Sequence, residues 1–171
     1  LFHAVRAGGS GLYVIDSDGG AVEPVVTWQA QHGGLSVDPT GRYVVQSRTS
    51  MDSLGELHVY DNQSGESKTI TSYSQAVLDE HPAALWERLD IQRGKYTIEA
   101  WLLKPADFDE SKQYPLILDI HGGPNGHYGY SLAAQHQSLA TAGFLVVYSN
   151  PRGSSSDGRE FTQQVTEDWG G

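Results

Sequence analysis

The 171-residue sequence contains no cysteine, which excludes disulfides and thiolate chemistry within it. That absence fits a reducing compartment, so a cytoplasmic location is the expectation. Basic residues are few: 11 lysines and arginines stand against 21 aspartates and glutamates, for a net charge of −10. Such a balance disfavours nonspecific binding to nucleic acid or to an anionic membrane, and neither is expected as a partner. Apolar runs are short as well, none approaching the roughly eighteen residues of a helical membrane span. The opening Leu1-Phe-His-Ala-Val-Arg-Ala-Gly-Gly9 has no leading methionine, basic leader or long apolar core. It does not read as a signal peptide, and a piece cut from a longer chain is the expectation.

What is present is ordinary for a globular protein, with 38% apolar and 10% aromatic residues. One stretch organises the rest: Tyr114-Pro-Leu-Ile-Leu-Asp-Ile-His-Gly-Gly-Pro124. Leu116, Ile117, Leu118 and Ile120 read as a buried strand of a parallel sheet, broken abruptly by the glycines. Two readings of His121-Gly-Gly-Pro124 stand open. It is either a tight turn, or a loop of backbone N–H groups that receives developing negative charge, as in α/β-hydrolase oxyanion holes.

Residues 1–71 carry short strands separated by turns. Leu12–Ile15 and Val22–Val26 flank a turn at Asp16–Gly20, and four further strands are predicted near 33–37, 42–47, 56–61 and 66–71. The Leu-x-Val-x pattern leading to an Asp-turn-Gly occurs at Leu12–Gly20 and again at Leu57–Gly65. That offset suits the blade of a β-propeller, of which about one and a half would be present; a small β-sandwich is the alternative. Residues 72–85, with helix formers at Gln75–Glu80 stopped by Pro82, read as an interdomain connection. Trp86–Ile91 and Tyr96–Leu103 form a hairpin across Gln92–Lys95. After the glycine loop, Ser131–Ala142 has helical spacing with Gly143 as its stop, and Phe144–Tyr148 is a second buried strand. Strand, loop, helix and strand make a βαβ unit that brings both loops to one sheet edge. The fold expected is therefore mixed: incomplete all-β propeller blades, then the N-terminal part of an α/β-hydrolase domain over 86–171.

Acyl transfer needs a nucleophile, a base, an orienting acid and an oxyanion hole. No intact G-x-S-x-G is present; the nearest match, Gly129-Tyr-Ser131-Leu-Ala133, follows no strand, and Ser131 suits an N-cap better than a nucleophile. His121, His127 and His136 lack metal-ligand spacing, so no metal is expected, and no cofactor motif occurs. His121 is expected to hold the glycine loop in shape through hydrogen bonds. His32, His58 and His81 read as structural. Arg152 is either a substrate anchor or a loop tie, with the flanking Pro151 and Gly153 favouring the tie. Asp168 does not qualify as a triad acid, which must follow the nucleophile.

These words in this order resemble the prolyl oligopeptidase family of serine peptidases, in particular its acylaminoacyl-peptidase-like branch. The matching residues are Tyr114-Pro115, His121-Gly-Gly-Pro124, Gln137-x-Leu139-Ala140-x-x-Gly143-Phe144, Asn150-Pro-Arg-Gly-Ser154, Phe161 and Asp168-Trp-Gly-Gly171. The resemblance implies a propeller that limits access to the site and a hydrolase domain that cleaves short or N-acylated peptides. It maps the oxyanion donor onto the backbone N–H of Gly123, with His121 and Gly122 supporting the loop. It also places the serine, aspartate and histidine of the triad outside this chain, so these residues alone are expected to be inactive. Short peptides are the implied substrates, and a homo-oligomer of the full-length parent is compatible with the resemblance. Other branches carry tyrosine where His121 stands. Asp157 departs from the family's usual aromatic residue, which puts the packing of its loop in question. A carboxylesterase or lipase would share the His-Gly-Gly chemistry, and a noncatalytic β-rich module with a degenerate hydrolase half is the reading from another class.

Overall fold

The computed structural model describes residues 1–123 and 125–168. The chain divides into two compact units, one made of 1–5, 9–81 and 130–132, the other of 6–8, 82–129 and 133–171. Among the described residues no helix is long and apolar enough to cross a membrane.

In the first unit, β1 (Phe2–Arg6), β2 (Gly9–Val14) and β3 (Glu23–Trp28) form a three-stranded sheet. β4 (Gln31–Val37), β5 (Tyr43–Ser50), β6 (Ser53–Asp61) and β7 (Ser67–Thr69) form a four-stranded antiparallel sheet in sequence order. β1 is not anticipated by the sequence patterns, since Phe2-His-Ala-Val-Arg6 has no strict alternation and only Gly8 and Gly9 mark its end. The turn between β4 and β5 shows how local chemistry sets the register. Asp38 accepts the N–H groups of Thr40 (3.2 Å) and Tyr43 (2.7 Å), and Gly41 at φ +73° reverses the chain. Leu12, Val44 and Tyr60 form the apolar core, with Val25, Val26, Trp28 and Leu35 packed on it.

Along that buried face the core gives way to a polar seam. Trp28 lies 4.1 Å from His32 between ring centres, and His3 and His58 lie 6.0 and 6.2 Å from His32. Burial, then the neighbouring His3, His58 and Arg48, push His32 down to about 3; burial likewise holds His58 below the usual imidazole range. Beyond the last strand comes α1 (Gln75–Glu80), one and a half turns. The chain leading into it is held by Glu56, whose carboxylate accepts from the Thr71 hydroxyl and from the N–H groups of Tyr73 (3.0 Å) and Ser74 (2.6 Å).

The second unit is built on a sheet ordered β10-β11-β9-β8, with β8 (Leu85–Arg93), β9 (Tyr96–Lys104), β10 (Leu116–Asp119) and β11 (Leu145–Asn150). β8, β9 and β11 pair antiparallel, whereas β10 and β11 run parallel from Leu116↔Leu145 to Asp119↔Tyr148. The crossover between the parallel strands carries α2 (Ala134–Thr141). Trp101 and Tyr148 stack at 5.5 Å in the core beside Ala100, Leu103 and Val146.

Two expectations are corrected here. β10 is an edge strand, paired only with β11, and it is not buried: Leu116, Leu118 and Ile120 are 60%, 58% and 70% exposed. An unbroken apolar run reports that both faces are apolar, and it is silent on whether anything covers them. Ser131 is not the N-cap of α2. The helix begins after Ala133, whose extended backbone (ψ 120°) leaves the Ser131 hydroxyl too early to reach the first-turn N–H groups. The other end is as expected: Gly143 at φ +91° donates to Ala140 O (2.9 Å) and Phe144 to Leu139 O (3.2 Å), the paired bonds of a Schellman stop.

Candidate active site

Because β10 and β11 are parallel, their carboxyl ends release two loops at one sheet edge, the place where open α/β sheets bind ligands. The first loop runs from Asp119 to Tyr128 and holds His121, Gly122 and Gly123. The second follows Asn150 and contains a 3-10 turn at Ser155–Asp157, ahead of the short helix α3 (Gly158–Thr162).

The second loop forms a mould for the first. His121 Nε2 lies 2.9 Å from Ser154 Oγ, which is fully buried and donates to Pro151 O at 2.7 Å; His121 Nδ1 lies 2.8 Å from Gly122 O. His127 Nδ1 lies 3.0 Å from Ser155 Oγ, and the Ser155 N–H donates to Gly126 O at 3.2 Å. Burial, then the neighbouring His121, lowers the His127 pKa. Asp119 accepts from the Tyr128 hydroxyl (2.8 Å) and from His136 Nε2 (2.6 Å), so the two ends of the loop are bonded to each other. The His136 contact, then that of Tyr128, holds the Asp119 carboxyl below its ordinary range, while burial and Asp119 push the Tyr128 phenol up to about 12. His136 is itself buried and stacks on Tyr148 at 4.2 Å.

Within this frame Gly122 and Gly123 are exposed, and the Gly123 N–H has no acceptor among the described residues. Gly123 has no room for a side chain: a β-carbon there would sit 2.6 Å from Asn125 N and 2.9 Å from Gly126 N. The loop thus leaves the Gly123 N–H bare at the edge of the sheet, able to donate to an anionic oxygen.

Arg152 lies in the loop that follows β11. Its guanidinium donates to Gln164 O (2.7 Å), Asp168 Oδ2 (2.9 Å) and Asp168 O (3.1 Å), bracing the segment after α3. Asp157 is exposed and accepts from Ser156 Oγ at 2.8 Å. Pro124 and Trp169-Gly-Gly171 lie outside the described residues. Among the described residues no three histidines or carboxylates are placed to hold a metal ion.

Residues 130–171 match the sequence profile of the prolyl oligopeptidase family. Over 166 residues the chain is 34% identical to the uncharacterized peptidase YuxL of Bacillus subtilis, covering 96% of this chain and 25% of that protein. The chain is similar to the prolyl oligopeptidase family. A second relative, dipeptidyl-peptidase 5 of Aspergillus fumigatus, is 43% identical over 82 residues, 46% of this chain and 11% of that protein. Among solved structures, acylaminoacyl peptidase of Pyrococcus horikoshii superposes with a TM-score of 0.84 at 25% identity, covering 98% of this chain and 26% of that one. The chain therefore spans about a quarter, or less, of the length of the relatives it matches.

In the sequence Asn150 stands only within the Asn150-Pro-Arg-Gly-Ser154 match, and no pattern there assigns a role to Asp119, Tyr128, His136 or Glu99. One signal was available for Asn150. Counting by twos along the second apolar strand from Val146 and Tyr148 places it on the same face, where an amide needs partners.

Proposed function

We propose that the intact protein is a serine peptidase that cleaves short or N-acylated peptides through an acyl-enzyme, and that this chain supplies the oxyanion loop. The observation that carries the reading is the exposed Gly123 N–H, free of acceptors among the described residues and held in a loop bonded at both ends. In this reading Gly123 N–H donates to the tetrahedral intermediate, His121 and Gly122 shape the loop, and Arg152 braces the neighbouring segment. The nucleophilic serine, its histidine and its aspartate are expected outside these 171 residues. The parallel pair with its helical crossover, extended by an antiparallel hairpin, supports assigning 86–171 to an α/β-hydrolase domain. The four strands in sequence order support assigning 1–71 to propeller blades, with 72–85 as the connection. The relatives' names, acylaminoacyl peptidase and dipeptidyl-peptidase, favour peptides as substrates.

The test uses the full-length parent. It is expected to label with a fluorophosphonate and to hydrolyse N-acylated or short peptide anilides, with labelling abolishing turnover. Turnover of p-nitrophenyl esters without any peptide hydrolysis would replace the peptidase reading with a carboxylesterase. Absence of both labelling and turnover would overturn the catalytic reading altogether.

A further inference from the structure

We propose that Asn150 is a positioning residue for the oxyanion loop, its side-chain amide standing in for a neighbouring strand at Tyr128. The inference rests on the reading of Gly123 as the oxyanion donor. Asn150 ends β11 and is 0% exposed. Its Oδ1 accepts the Tyr128 N–H at 2.7 Å, and its Nδ2 donates to Tyr128 O at 2.9 Å. Nδ2 also faces Ser156 Oγ at 3.1 Å and, more distantly, Glu99 Oε2 at 3.4 Å.

A primary amide carries an acceptor and a donor side by side, as one face of a peptide unit does. One residue bonded through both its N–H and its C=O is held as in the hydrogen-bonded pair of an antiparallel ladder, able neither to slide nor to turn. β11 buries Val146, Tyr148 and Asn150 on alternate positions, so this amide takes a place an aliphatic side chain would otherwise fill. A buried amide is tolerated there because its polar atoms are all bonded.

Tyr128 closes the loop whose middle holds Gly123. Its hydroxyl is bonded to Asp119 at the loop's start, and its backbone is bonded to Asn150 at the end of the adjacent strand. Asn150 therefore sets where the loop's end lies relative to the sheet, and through it where the Gly123 N–H lies. Glu99 orders the far side of the amide. It is 2% exposed and paired with Arg88 at 2.9 Å; burial first, then Asp157, raises its pKa.

The experiment compares Asn150→Ala and Asn150→Asp with wild type in the full-length parent, with Ser138→Ala on the exposed side of α2 as a control. Active sites are counted by fluorophosphonate titration, so that misfolded protein does not enter the rates. For N150A, kcat per titrated site is expected to fall about a hundredfold, the scale of an ångström-sized misplacement, with KM nearly unchanged. Affinity for a peptidyl trifluoromethyl ketone, whose hemiketal oxygen occupies the same cradle, is expected to fall in proportion to kcat/KM. N150D keeps the volume and the acceptor but turns an oxygen toward Tyr128 O and Glu99. It is expected to lose at least as much as N150A, whereas a space-filling role would leave it near wild type. If both variants keep kcat per titrated site within about threefold of wild type, the positioning role is overturned while the peptidase reading stands. If wild type neither labels nor turns over, the reading of Gly123 fails first and this inference falls with it.

Discussion

At the scale of single residues, one glycine of the loop carries both its donor and its shape, and a second carries its shape alone. Gly123→Pro removes the N–H and also places a β-carbon where none fits, so kcat in the full-length parent is expected to drop at least about a hundred- to a thousandfold, the loss of one oxyanion donor alone. Gly126→Ala removes no donor, yet its β-carbon would meet the Gly122 carbonyl and approach His121 Nδ1 at 2.9 Å. A displaced loop is expected to cost about a hundredfold. Steady-state kcat at saturating peptide checks both, and a G126A enzyme as fast as wild type would show that the loop yields without moving its donor. Gly122 and Gly123 were legible in the sequence because they break an apolar run, whereas Gly126 carries no such signal. The partners that fix the loop were not legible, because each bond joins residues far apart in the chain: His121 to Ser154, Tyr128 to Asn150, His136 to Asp119.

At the scale of elements, periodicity recovered the alternating strands and the βαβ unit, and it failed where burial depends on what lies opposite. β10 and the adjoining Ile120 carry the most exposed large apolar side chains of the second unit among the described residues, because apolar character attracts cover without supplying it. The start of α2 was misread for a different reason: a serine three places before a helix signals a cap only if the intervening backbone is already helical, and Ala133 is extended. Its end was read correctly because the left-handed stop demands a particular residue. Gly143→Ala forces a β-carbon onto a backbone at φ +91° with open space around it, so the penalty is conformational alone. A loss of about 1 kcal/mol is expected, visible as a lower urea midpoint with unchanged slope. An unchanged midpoint would mean the stop is formed without help from Gly143.

At the scale of the whole molecule, the half-buried His32 and the buried His58 make stability depend on acid. With the folded pKa of His32 at about 3 and that of His58 also lowered, the unfolded chain takes up protons below about 6.5 that the folded chain refuses. Stability is therefore full above that range and is lost as pH falls from it toward 3. Glu56, held at about 2 by Thr71 and the Ser74 N–H, adds a loss of the same sign below its ordinary 4.5. Urea midpoints between pH 7 and 4 are expected to decline, and to decline less in His32→Asn; parallel curves for the two proteins would exclude His32 as a source. The link after α2 is short. Leu145 already bonds Pro115, so only Ala142, Gly143 and Phe144 separate the helix from the paired strand. The link acts as a reading frame. One inserted residue would invert β11 and send the amide of Asn150 to the opposite side of the sheet, whereas two would restore its side but shift it by about 7 Å along the strand. The distance from helix stop to loop is thus a fixed count, and lengthening or shortening it in a relative would uncouple the glycine loop from the sheet without altering any residue of either.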